Sequence, residues 1–267
     1  MDVSDVMARY DAQLRRDATA PAPPARTERD GLVVRWLNDA EEGGWEAVLW
    51  SDLDESNADA QIAHELAFFA ARGRRFEWKH HDYDKPADLP ARLIAAGFEP
   101  EEEEALVVAE IAGLTADVTD YTVPEGVRLV PVTDAAGIDL VVAVHDEVFG
   151  IDHSWLRREM LSRLGTPEAE AAVVAMAGDR AVCAGRAEFH IGTDFASLWG
   201  GGTLPEWRGR GIYRALVGYR ARLAAERGFR FLQVDSSPDS QPILQRLGFV
   251  RLTTTTPYVW TPSPAPA

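Results

Sequence analysis

The chain of 267 residues contains one cysteine, Cys183, which excludes an internal disulfide and any cysteine-based metal cluster. Cys183 lies in the alternating run Arg180-Ala-Val-Cys-Ala-Gly-Arg-Ala-Glu-Phe189 and reads as a small buried hydrophobe, not a nucleophile. No apolar run approaches the roughly 20 residues of a membrane span, and the acidic start Met1-Asp-Val-Ser-Asp-Val6 is unlike a signal peptide. The expectation is a cytoplasmic protein with no membrane partner. Positive charge is also scarce: Lys and Arg number 27 against 43 Asp and Glu, a formal net charge of −16. That balance argues against nucleic acid as the main partner and favours a basic substrate such as an amine. Two phosphate motifs are missing, Gly-x-x-x-x-Gly-Lys-Ser/Thr and Gly-x-Gly-x-x-Gly with an acid about twenty residues on. What remains is an ordinary folded composition, 46% hydrophobic and 26% charged with eight tryptophans, long enough for one large or two small domains.

The most informative stretch is Leu198-Trp-Gly-Gly-Gly-Thr-Leu-Pro-Glu-Trp-Arg-Gly-Arg-Gly-Ile-Tyr213. Residues 196–203 read as a strand interrupted by Gly200-Gly201-Gly202, the mark of a bulge or of close approach by another backbone or a ligand. The turn Pro205 to Gly211 then carries two glycines and two arginines. From Ile212 the apolar positions Ile212, Leu216, Tyr219, Leu223 and Ala224 predict an amphipathic helix, with Arg214, Gly218, Arg222 and Glu226 facing away and Gly228 as its stop. A strand, a basic turn and a helix N-terminus together make an anion site. From Arg208 to Arg230 there are seven arginines and one acid, so the basic patch is local in an acidic chain.

This pattern resembles the coenzyme A loop of the GNAT acetyltransferase superfamily, Arg/Gln-x-x-Gly-x-Gly/Ala at a helix start after a splayed strand. Here it runs Arg208-Gly209-Arg210-Gly211-Ile212-Tyr213. Tyr213 departs from the small residue usual there and either crowds the pyrophosphate or hydrogen-bonds it. The downstream run is similar to the family's second half: a buried strand Phe229 to Val234, a helix start at Ser237-Pro-Asp-Ser240, and Pro242 to Phe249 as a short helix ending in Gly-Phe. The resemblance covers roughly residues 125 to 260. It implies acetyl-CoA as cosubstrate, held by Thr203, Leu204, Arg208, Gly209, Arg210, Gly211, Ile212, Tyr213 and Ser240.

The rest of the chain reads as a degenerate copy. Ala70-Ala-Arg-Gly73-Arg-Arg-Phe76 parallels Ala225-Glu-Arg-Gly228-Phe-Arg-Phe231, and Arg92-Leu-Ile-Ala-Ala-Gly97-Phe98 parallels the later Gly248-Phe249 ending. The expected organisation is an N-terminal helix (Val3 to Leu14) and Pro-rich linker over 1–27, a degenerate GNAT-like domain over 28–120, an acetyl-CoA-binding domain over 121–262 and a disordered tail over 263–267. The fold class is α+β: two GNAT-like domains, each a mixed, mostly antiparallel sheet flanked by helices. Strands are expected at Gly31 to Trp36, Trp45 to Trp50, Ala105 to Ile111 and Val127 to Val132, with helices at Asp59 to Arg72, Thr133 to Val148 and Ser154 to Leu164. Lacking the arginine and glycine turn, the first copy is expected to bind no coenzyme. His80-His81 with Asp82 and Asp84 reads as a polar strand end, not a metal site, since adjacent strand residues face opposite ways; no metal is expected.

Acetyl transfer to an amine needs a base for the amine, donors for the developing oxyanion and a fate for the thiolate. In the family the oxyanion is met by backbone N–H groups of the splayed strand, here near Gly202 to Leu204. Base candidates are Glu188 and His190, on one face of the preceding strand, then Asp194 and Glu206; Glu188 comes first because burial beside a cleft would raise its pKa. Many family members carry a tyrosine acid where this chain has Leu244, so Tyr213 or Tyr258 substitutes or the thiolate leaves unaided. In family terms the loop Phe149 to Trp155 flanks the acceptor site. The reading is an N-acetyltransferase acting by direct attack on a small-molecule amine, as monomer or homodimer; the alternative is a non-catalytic acyl-CoA-binding or sensing module.

Overall fold

Asp2 opens the first helix by accepting hydrogen bonds from the Ser4 and Asp5 amides, and the chain then alternates short strands and helices to Trp260. The computed structural model describes residues 1–20, 23–40, 44–115, 118 and 120–262. Part of the expected Pro-rich linker, the tip of the turn after Asp39, part of the expected domain boundary and the 263–267 tail lie outside the described residues. The elements are α1 (Val3–Tyr10), β1 (Ala25–Asp30), β2 (Val33–Asn38), β3 (Ala47–Ser51), α2 (Ala58–Arg72), β4 (Phe76–His81), α3 (Leu89–Ala95), β5 (Glu99–Pro100) and β6 (Glu104–Glu110). After them come β7 (Val127–Val132), α4 (Ala135–Phe149), α5 (Ser154–Arg163), β8 (Glu170–Ala177), β9 (Arg180–Phe189), β10 (Phe195–Thr203), α6 (Ile212–Glu226), β11 (Phe231–Ser236), α7 (Gln241–Arg246) and β12 (Val250–Trp260).

By contact the chain forms two compact units: Asp2–Leu106 with Asp235–Asp239 and the residues from Arg251 onward, and Val107–Val234 with Ser240–Val250. The units are therefore not the contiguous halves read from the sequence. Strand β12 belongs with the first because it pairs antiparallel with β4, Thr255 opposite His81 through Trp260 opposite Phe76. Nor do the first residues stand apart. Tyr10 and Arg15 are buried, and Arg15 donates to both oxygens of Asp84 at 2.8 Å and to the Leu49 carbonyl at 3.0 Å.

In the first unit β1, β2 and β3 form an antiparallel meander, and α2 carries the chain to β4, which pairs parallel with β3. The core is built from Leu37, Val48, Phe69, Phe76, Trp78, Leu93 and Phe98. His80 and His81, read as a polar strand end, are instead buried. His81 Nε2 lies 3.2 Å from the Tyr10 hydroxyl, and burial holds its pKa well below the usual imidazole range. The N-terminal segment covers His81 through Tyr10, while His80, on the other face of the strand, packs edge-on to Tyr258.

In the second unit β7, β8, β9 and β10 form the meander, and α6 leads to β11, which pairs parallel with β10. Val141 and Val144 of α4, Leu156 of α5, Val174, Val182 and Leu216 share one core. Both units thus run meander, helix, parallel strand, short helix, and both short helices end at a left-handed glycine, Gly97 (φ 94°) and Gly248 (φ 104°), before a buried phenylalanine, Phe98 and Phe249. The fold class read from the sequence holds. Helix α6 differs from its wheel: Gly218, read as outward, is buried, and a Cβ there would lie 2.6 Å from the Val118 carbonyl and from Tyr121.

Candidate active site

Strand β10 pairs with β11 only over Phe195–Phe231, Ala196–Leu232 and Ser197–Gln233. The last rung is locked across three strands: the Ser197 hydroxyl donates to Gln233 Oε1 at 2.6 Å and accepts from His190 Nε2 at 2.7 Å. Burial holds the His190 pKa low, so the ring is neutral. Beyond this vertex, among the described residues, the β10 register with β11 does not continue, and residues 198–203 form a splayed edge.

That edge is bulged. Trp199 pairs with Arg186 and Gly202 with Ala184, so Gly200 and Gly201 together oppose Gly185. Gly200 has φ 58°, a conformation that favours glycine. A bulge frees carbonyl groups from the ladder, and buried ones need other donors. Two buried side chains supply them from the two faces of the sheet. From α4, His145 Nε2–H donates to the Gly200 carbonyl at 2.7 Å. From α6, Arg220 donates to the carbonyls of Arg186 (2.9 Å), Trp199 (3.4 Å) and its own-helix Leu216 (3.1 Å). The glycines make room for both: a Cβ on Gly200 would meet His145 at 2.5 Å, and one on Gly185 would meet Arg220 at 2.9 Å. Burial lowers the His145 pKa to about 4, keeping the ring neutral, and lowers that of Arg220. Because each peptide is planar, fixing its carbonyl also fixes its N–H.

Of the two oxyanion neighbours expected next, Leu204 is not free: its N–H donates to the Val182 carbonyl at 3.0 Å. Antiparallel pairing alternates, so Thr203 points its backbone to the splayed edge, and its carbonyl there accepts from Arg208 Nε at 3.1 Å. The Thr203 hydroxyl faces Cys183 Sγ at 3.0 Å. Cys183 is buried, with its thiol pushed up to about 11.

The basic turn follows directly. Gly209 and Gly211 have φ of 73° and 81°, and Gly211 is the α6 N-cap with no side-chain cap. Ile212 anchors the first turn in the core. Arg208 and Arg210 are exposed, Arg210 stacking on Trp207 at 4.5 Å. Tyr213 folds back over the bulge, where a Cβ on Gly201 would lie 2.8 Å from its ring; burial raises its pKa. Residues 203, 204 and 208–213 are thus contiguous in space with the splayed edge. Ser240 stands elsewhere in the chain, at the N-cap of α7. Leu244 is fully buried in the position where a tyrosine was sought. Tyr258 packs edge-on to His80 in the first unit.

Glu188 is not at the bulge. It lies opposite Ser197 at the vertex, with Arg163 Nη1 3.6 Å away and Arg163 also held by Glu159 and Glu170. Glu206 pairs with Arg180 at 2.8 Å. The residues that do surround the bulge on the α4 face are aromatic. His145, Phe149 and His153 form a triangle of rings 5.4–5.7 Å apart, and a Cβ on Gly202 would meet Phe149 at 3.4 Å. Neither His145 nor Arg220 stands out in the sequence, because spacing alone does not mark a buried polar side chain.

Residues 138–249 match the Acetyltransferase (GNAT) family. No curated protein matches the chain. Among solved structures, a GCN5-related N-acetyltransferase from Kribbella flavida superposes with a TM-score of 0.66 at 19% identity, covering 90% of each chain. A tandem GNAT protein from the clavulanic acid biosynthesis pathway gives 0.62 at 16%, covering 98% of this chain and 94% of that one. A functionally unknown conserved protein from Staphylococcus epidermidis gives 0.66 at 12%, covering 91% and 96%. At these identities the likeness is one of fold.

Proposed function

With residues 138–249 a GNAT-family acetyltransferase domain, we propose that the chain moves an acetyl group from acetyl-CoA to a primary amine on a small molecule, by direct attack in a ternary complex. The observation that carries this is the continuity of a splayed, glycine-bulged strand edge with a basic turn and an α6 N-terminus that no side chain caps. An anion is favoured at such a terminus, so the pyrophosphate belongs at Gly209 to Tyr213, between Arg208 and Arg210. The pantetheine then runs along the edge toward the bulge. There the Thr203 N–H and the N–H groups of Gly200 and Gly201, whose peptides Arg220 and His145 clamp, can meet the thioester oxygen as charge develops. When bound, acetyl-CoA supplies the activated acyl group; the protein holds it, orients it and handles the proton. Tyr213, over Gly201, is the group nearest a leaving thiolate, and Tyr213→Phe with lower turnover but unchanged coenzyme binding is the result expected of that role. Glu188, first among the base candidates in the sequence, lies opposite Ser197 in an ion pair with Arg163, a structural occupation.

The test is thermal unfolding with acetyl-CoA, ATP and NAD. Saturation at about 100 times Kd adds about 2.7 kcal/mol, so a rise of several degrees specific to acetyl-CoA and absent in Gly211→Glu is expected. Transfer to a panel of amines separates catalysis from a sensing role. The absence of a hydroxyl at Leu244 is what keeps the sensing role in view.

A further inference from the structure

Beside the bulge, two imidazoles stand 5.5 Å apart in different chemical states. His145 is spent: its Nε2–H is donated to the Gly200 carbonyl at 2.7 Å. His153 is arranged the other way. Its Nδ1 faces Asp146 Oδ1 at 3.0 Å, and since a carboxylate oxygen accepts there, Nδ1 carries a proton, which in the neutral ring leaves the lone pair on Nε2. Among the described residues Nε2 has no hydrogen-bond partner. The same Asp146 oxygen accepts the His153 backbone N–H at 2.8 Å, so one carboxylate fixes both the ring's tautomer and the place of its backbone. The side chain is 9% exposed, enclosed by His145, Phe149 and Trp155. This is the geometry of a base and its orienting acid, one ring away from the peptides that would receive the thioester oxygen.

We propose that His153 is the general base for the acceptor amine and Asp146 its positioning residue. The proposal rests on the acetyl-transfer reading above. A neutral amine attacks the thioester carbonyl; the C–N bond forms, the C–S bond breaks, and the amine's surplus proton passes to His153 Nε2. The thiolate takes a proton from Tyr213 or water; His153 returns its own to solvent and a Tyr213 phenolate takes one back from solvent, leaving amide, free coenzyme thiol and the starting enzyme. Glu188 has no part in the transfer.

The experiment measures acetyl transfer to an amine accepted by the wild type, together with the acetyl-CoA-induced rise in Tm. His153→Gln is expected to lower kcat at least a hundredfold, within the range of a lost general base, with the acetyl-CoA shift intact. His153→Ala, equally slow, should regain activity on adding free imidazole, a rescue that a packing role would not give. Asp146→Asn, which keeps an acceptor for both N–H groups but removes the charge, should lose about tenfold. Glu188→Gln should retain full turnover. Unchanged kcat in His153→Gln, or loss without imidazole rescue in a His153→Ala protein that still binds acetyl-CoA, overturns the proposal. Failure of the wild type itself to acetylate any amine overturns the acetyl-transfer reading instead, and the two failures are distinct.

Discussion

The two units bulge the same strand of the same meander and finish it in opposite ways. In the first, Val34 pairs with Trp50 and Arg35 with Val48, so Leu49 is the extra residue of β3. Its carbonyl is taken by Arg15, which Asp84 neutralises. In the second, the extra residues are glycines; the Gly200 carbonyl is taken by His145 and the adjoining Trp199 carbonyl by Arg220. The loops that follow diverge as well. After β3, the Asp54 carboxylate accepts from the Ser56 amide (2.8 Å), the Ser56 hydroxyl (2.6 Å) and the Asn57 amide (3.1 Å). After β10, the corresponding turn offers glycines and arginines and no acid in the place of Asp54, while neither α2 nor α6 has a side-chain cap. One unit closes this loop on its own acid and carries leucine in its bulge; the other has glycines in both places. On this contrast we propose that the first unit binds no coenzyme.

Buried arginine repeats the contrast. Arg35 on β2 meets Glu65 on α2 in a bidentate pair at 2.6 and 2.8 Å, with Glu28 and Asp30 beside it. Arg220 on α6 has carbonyl partners, and no carboxylate is paired with it among the described residues. The largest effect expected from testing this difference is in the first unit. Glu65→Leu strands a buried guanidinium and should cost about 3 kcal/mol in unfolding free energy, read by denaturant titration, while the acetyl-CoA-induced shift persists. Arg220→Met should show the reverse emphasis: a smaller loss of stability but at least a tenfold fall in kcat as the bulge loses its clamp. Equal losses of turnover in the two variants would erase the distinction.

Next in size is the pH dependence of the clamp. His145 is neutral in the folded chain with a pKa of about 4, below the unfolded value of about 6.5. The native state therefore binds fewer protons between these values. The contribution is fully present above about pH 6.5 and is lost as pH falls toward 4. Comparing wild type with His145→Gln, which can still donate to the Gly200 carbonyl, isolates it. Stability of the wild type should fall more steeply over that window than that of the variant, and parallel curves would mean the ring's burial has no energetic consequence.

Much of this was legible in the sequence, for reasons that explain what was not. Glycine and arginine at Arg208 to Gly211 announce themselves because few backbones tolerate that combination, and Gly97-Phe98 and Gly248-Phe249 mark helix ends by chain geometry alone. The triple glycine at 200–202 predicted the bulge. Its clamp was invisible, because periodicity assigns a charged residue such as Arg220 or Glu65 to solvent unless its partner is known, and those partners lie up to 34 residues away. Gly218 was misread for the same reason: it faces the Val118 carbonyl, not water. The pairing of β12 with β4 is a matter of topology, which no local pattern records.

The smallest effect is the sharpest on the opening contrast. Asp54 is exposed, and its carboxyl lies below the usual carboxylate range because the Ser56 hydroxyl and neighbouring amides hold its charged form. Asp54→Ala should therefore lower Tm by no more than a few degrees, and only above about pH 4, where the carboxylate is ionised. Coenzyme stoichiometry by calorimetry is the telling measurement. Removing the carboxylate frees the Ser56 and Asn57 amides, but it supplies neither a cation nor a left-handed glycine, and Leu49 still fills the bulge. The variant should bind one acetyl-CoA per chain, as the wild type should. Two would mean that a single acid is all that separates the closed unit from the open one, and that the bulge and the arginines count for little in coenzyme capture.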